Sequence, residues 1–138
     1  MVEMPAVMGV NAPLEHQRII RLLSGELHLL YKTKRIQLEP FPETMIDQSQ
    51  TSPTPDVLLY DNAQRKHLVI IEVSGKQGAK KDFRKVVELM HDYDVPEGFV
   101  YDYDSAEWFK HKLGVGDITE RPSFCETIGY DLNDFLQH

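Results

Sequence analysis

The stretch PDVLLYDNAQRKHLVIIEV, residues Pro55 to Val73, decides how the rest of the chain is read. Two apolar runs, 55–61 and 67–73, flank a polar turn. The second run is continuous and rich in β-branched residues, which marks a strand buried on both faces. Folded as a hairpin, the two runs have their centre near Gln64, and Asp56 and Glu72 are equidistant from it. Directly opposed residues on antiparallel strands have Cβ atoms about 5 Å apart and share a face. Two carboxylates that close repel each other, and one is normally protonated. A divalent cation bound by both removes the repulsion, and hard oxygen ligands with open water positions suit Mg²⁺ or Mn²⁺. Glu72 needs a partner in any case, because it sits between Ile71 and Val73 in an apolar strand. A charge there is costly unless paired, hydrogen-bonded or metal-bound. The bland alternative puts Glu72 at the strand's exposed end, paired with a nearby lysine.

Working outward, Ser74 to Gly78 reads as a glycine-containing loop and Ala79 to Tyr93 as a helix. Its expected inner face is Ala79, Phe83, Val86, Val87 and Met90. Pro96 follows, then a strand over 98–103. The strand, helix, strand unit from 67 to 103 is a βαβ crossover, which places its two strands parallel. Residues 108–113 form an expected edge strand, and Asp131 an N-cap for a short terminal helix ending near Leu136. Upstream, His16, Ile19, Ile20, Leu23, Leu27 and Leu30 recur at spacings of three and four, one face of a helix over 13–31. Pro13 suits its first turn, which leaves 1–11 as a flexible or edge segment. Pro40 and Pro42 restrict 35–46 to an edge strand or an irregular pair of strands. The polar stretch 47–54 is a loop. The expectation is a single α/β domain over 1–138, a mixed sheet flanked by helices.

Composition narrows the function. Apolar residues make up 41% of the 138, enough for one core, and no run of 18 of them exists to span a membrane. The N-terminal residues carry Glu3 and Pro5 and no basic residue, so they do not read as a signal peptide. Cys125 stands alone, which excludes an internal disulfide and points to a reducing, cytoplasmic setting. The net charge of −7 counts against loose, charge-driven binding to nucleic acid. Yet Lys76, Lys80, Lys81, Arg84 and Lys85 cluster within ten residues.

Other chemistries find little support. None of the six histidines forms HExxH or another close metal-ligand spacing. The loop 74–78 lacks a phosphate-loop signature, Asp102 and Asp104 read as solvated strand-end residues, and Cys125 has no activating basic neighbours.

Pro55-Asp56, a short hairpin and a strand ending in Glu72-Val73-Ser74 together resemble the PD-(D/E)xK nuclease superfamily. Leu14-Glu15-His16-Gln17, PDVLLYD, VIIEVS, Asp82 in a lysine-rich helix and the run Val95 to Asp102 together resemble its Uma-type restriction endonuclease family, over roughly residues 12–136. The resemblance implies a restriction-endonuclease-like core and metal ligation by Asp56 and Glu72, with Glu15 as a possible third carboxylate. The superfamily's assisting lysine falls here on Ser74. In the Uma-type branch a lysine on the following helix is its candidate replacement. The nearest is Lys85, one position from the aligned Val86, with Lys76 and Lys81 as rivals. Lys85 lies at the flank of the apolar helical face, where its long stem can be buried and its amine brought towards the sheet.

The sequence therefore supports a metal-dependent endonuclease acting on DNA. Asp56, Glu72, Lys85 and Lys76 are its catalytic candidates, and Lys76, Lys80, Lys81 and Arg84 would contact the nucleic acid. Two copies would be needed to cut both strands of a duplex, which makes a homodimer plausible. The competing readings are an inactive nuclease-fold binding or scaffold protein, and an interaction module without metal.

Overall fold

The computed structural model describes residues 5–47 and 53–137, with side chains in the first helix described from Leu14 onward. Helix α1 (Pro5–Lys32) leads into strand β1 (Leu38–Pro42), then β2 (Val57–Asp61) and β3 (Lys66–Ser74). Helix α2 (Ala79–Tyr93) follows, then β4 (Glu97–Asp102), β5 (Glu107–Lys112), β6 (Gly116–Ile118), a small β7 (Phe124–Cys125) and β8 (Tyr130–Asp131) hairpin, and a 3₁₀ turn over Leu132–Leu136. The main sheet has six strands in the order β1-β2-β3-β4-β5-β6. All neighbours are antiparallel except β3 and β4, which run parallel across the α2 crossover.

The period of two in β2, β3 and β4 divides the core into two layers. Val57, Leu59, Val69, Ile71, Val73 and Phe99 face α1 and meet Ile19, Ile20, Leu23 and Leu27. Leu58, Ile70 and Val100 face α2 and meet Val86 and Met90. The β3 run thus has apolar partners on both sides, as its composition required. Helix α2 lies close against β4 at Gly98, where a Cβ would come within 2.4 Å of the Met90 sulfur and 2.5 Å of Val86 Cγ1.

Several expectations need correcting. Helix α1 extends back to Pro5, so most of the segment 1–11 is helical, while residues 1–4 lie outside those described. A proline's fixed φ is itself helical, and an interior proline weakens or bends a helix, through a lost hydrogen bond and a ring clash with the preceding turn, without always ending it. Of the loop expected over 47–54, residues 48–52 lie outside the described ones. On α2, Leu89 rather than Val87 joins Val86 and Met90 in the packed layer. Strand β5 is not an edge: β6 pairs with it, Lys110 opposite Ile118. Three residues, Gly-Asp-Ile, carry too little alternation to announce a strand.

The C-terminal segment is tied on by a buried charge pair. Glu97 and Lys110 are both 2% exposed and 2.9 Å apart. The Glu97 carboxylate also accepts from the backbone N–H groups of Glu126 and Thr127 and from the Thr127 hydroxyl, while Lys110 donates to the Phe124 carbonyl. Burial pushes the Glu97 carboxyl up, but the Thr127 hydroxyl, Lys110 and the two backbone donors outweigh it and hold it below the ordinary range.

Candidate active site

The β2–β3 hairpin delivers the acidic pair. Val57, Leu58 and Leu59 pair with Ile71, Ile70 and Val69, a register symmetric about Gln64. One step further, at the bend before β2, Asp56 stands opposite Glu72. Towards the turn the register slips by one residue, with Tyr60 opposite His67, so Leu68 is a bulge residue. The bulge absorbs a mismatch at the turn and leaves the site end in the register expected from the sequence.

The two residues are laced together across the strands. The Asp56 N–H donates to Glu72 Oε1 at 2.7 Å, and the Val73 N–H donates to Asp56 Oδ2 at 2.7 Å. His16 Nε2, from α1, lies 3.2 Å from the same Asp56 oxygen. Glu72 lines a groove beside α2, together with Lys85. One carboxylate is therefore bonded to the α1 layer and the other opens to the α2 layer.

Burial and mutual repulsion set the charge state. The Glu72 carboxyl is pushed up to about 8, first by burial and then by the Asp56 charge. Asp82 adds to that rise, while the Asp56 N–H and the Lys85 ammonium oppose it. Burial also raises Asp56, against the Val73 N–H and His16. Such a pair is stable either by holding a proton or by holding a cation.

The remaining residues divide clearly. Ser74, at the place of the superfamily lysine, is 4% exposed and its hydroxyl donates to Asp82 Oδ2 at 2.8 Å. Lys85 is solvent-exposed at its helical position but lines the groove with Glu72. Lys80, Lys81 and Arg84 are exposed on the N-terminal half of α2. Lys76 is exposed in the loop before it, where its backbone N–H donates to Asp104. Glu15 pairs with Arg18, and its charge acts on Tyr101 and Tyr103; it is not among the groups shifting Asp56 or Glu72. Asp102 is buried rather than solvated, accepting from the N–H groups of Asp104 and Ser105.

Two residues close to the pair are not marked as site residues by the sequence. His16 falls on the apolar face of α1, and a polar side chain on such a face needs a partner. Asp82, the one acid in a run of cations, is held by Ser74 and acts on both carboxylates.

Among the described residues no three His, Cys, Asp or Glu side chains come together as a group that could hold a metal ion. The bonds described above use one oxygen of Asp56 and one of Glu72. Their second oxygens are hard donors of the kind that Mg²⁺ and Mn²⁺ take.

Comparison with solved structures places the architecture. A crystal structure of a candidate nuclease belonging to DUF820, from Anabaena variabilis, superposes with a TM-score of 0.67 at 16% identity, over 88% of this chain and 82% of that one. The fold is nuclease-like. No family model and no curated protein matches the chain. Among the described residues no helix is long and apolar enough to cross a membrane.

Proposed function

We propose that the chain is a metal-dependent nuclease whose centre is Asp56 and Glu72. The observation that carries this reading is the cross-laced acidic pair, held in register at the open end of a hairpin and raised in pKa by burial and its own repulsion. Asp56 and Glu72 would hold Mg²⁺ or Mn²⁺. Such a cation, when bound, supplies positive charge to a phosphodiester and lowers the pKa of a bound water.

The chain's own groups do the rest. The Val73 N–H and His16 fix the Asp56 carboxylate in one orientation. Lys85 brings a positive charge to the groove side of Glu72, where it offsets negative charge developing on a phosphate. Lys76, Lys80, Lys81 and Arg84 offer a basic strip for the phosphate backbone on a chain that is otherwise acidic. Cutting both strands of a duplex would require two copies.

A second reading, a nuclease-fold binding protein that does not cleave, is favoured by Ser74: its hydroxyl is engaged by Asp82, and no cation stands where the superfamily has its lysine. Nicking of supercoiled plasmid with Mn²⁺ and with Mg²⁺, parent against Glu72→Ala, separates the two. Activity in the parent and none in the variant is expected. Equal absence in both favours the second reading.

A further inference from the structure

The groove that Glu72 opens into extends along the C-terminal half of α2, with a volume of about 430 Å³ and one wall from segment 53–55. That is within the range of pockets that enclose a small molecule. Its charge reverses along its length. Lys85 stands at the Glu72 end, Leu89 and Tyr93 form an apolar and aromatic wall, and Glu88 and Asp92 are exposed on the same side. From Lys85 to Asp92 the helix rises about 10 Å. The cations of α2 that suit a phosphate backbone, Lys80, Lys81 and Arg84, all lie on the other half of the helix.

We propose that this groove receives the sugar and base of one unpaired nucleotide next to the scissile phosphate, making single-stranded nucleic acid the preferred substrate. The inference rests on the nuclease reading above and names its substrate class. A backbone arriving over the basic half of α2 reaches Glu72 and then meets Glu88 and Asp92. Carboxylates repel further phosphates, but they accept hydrogen bonds from the exocyclic amines of bases. Tyr93 offers a ring for stacking, which every base can use. A base inside a duplex cannot enter such a groove without leaving its stack, and that costs a few kcal/mol. An already unpaired base bears no such cost.

The test is fluorescence anisotropy with a short fluorescein-labelled oligodeoxynucleotide in Ca²⁺, as a single strand and annealed to its complement. Cutting of the same two forms in Mn²⁺ is followed in parallel. The parent is expected to bind the single strand at least about tenfold more tightly than the duplex. Tyr93→Ala should abolish most of that preference and Tyr93→Phe should keep it. Asp92→Lys, an exposed change that leaves the fold in place, should tighten duplex binding. Equal affinity for the two forms overturns the inference. So does unchanged discrimination in Asp92→Lys together with unchanged single-strand binding in Tyr93→Ala, or in Tyr93→Leu should the alanine variant melt early. Selective binding of the single strand without cutting supports the groove and removes the nuclease reading. Equal cutting of both forms does the reverse.

Discussion

Glu72 carries an acid–base consequence that a melting experiment can read. Its ordinary carboxyl value is 4.5 and its folded value about 8. Between those values the folded chain holds a proton that the unfolded chain has released. Stability from this source is complete below pH 4.5 and is lost as the pH rises towards 8. Glu72→Gln cannot lose that proton, so the melting temperature of the variant minus that of the parent should increase from about pH 5 to about pH 8. Cation binding has the opposite dependence, because it needs the ionised form. Mn²⁺ should raise the parent's melting temperature more at about pH 8 than at about pH 6 and leave Glu72→Gln nearly unmoved. Equal shifts in both proteins would remove Glu72 from the metal site. Glu97 illustrates the other sign. Its carboxyl is held low, so its contribution is present above the ordinary carboxylate value and fades as the pH falls through the folded one. Glu97→Gln leaves the buried Lys110 ammonium only the Phe124 carbonyl and the Glu126 carboxylate at 3.6 Å, and should cost about 3 kcal/mol in denaturant unfolding. Glu97→Gln with Lys110→Met should recover part of that loss.

Elements differ in how openly their residues announce them. Helix α2 and the β2–β3 hairpin are legible because one face of α2 is apolar at a period of 3.6 and β3 is continuously apolar, with a polar turn between the strands. The beginning of α1 is not, since proline rules favour a start at Pro13 and only the rest of the fold decides whether a helix tolerates one inside. Strands β6 to β8 escape because they are two or three residues long and exist through their pairing. The acidic pair is legible by counting along the hairpin, but His16 and Asp82 come from two different helices, and no spacing in the chain predicts that they meet it. Glycines give the sharpest tests at this scale. A Cβ at Gly25 in α1 meets nothing within 4 Å, so Gly25→Ala should stabilise by about 0.5–1 kcal/mol, seen as a melting temperature a few degrees higher. Gly98→Ala should do the opposite, because its methyl would collide with Val86 and Met90 and push α2 from β4.

Across the whole molecule the charge distribution matters more than the net value of −7. Replacing Lys80, Lys81 and Arg84 with glutamate should weaken oligonucleotide binding and flatten its salt dependence. On a single strand the log–log slope should fall by about 0.7 for each phosphate that the protein no longer neutralises. An unchanged slope would mean that nucleic acid binds elsewhere. The fold itself is two helical layers on one sheet, and at the end of the β2–β3 hairpin Asp56 touches His16 of α1 while Glu72 lines the groove beside α2. Whatever bridges them is thus also a rivet between the two layers. Its binding should be felt far from the site, as slower amide exchange in α1 and α2 together, and its removal should let the two layers loosen independently.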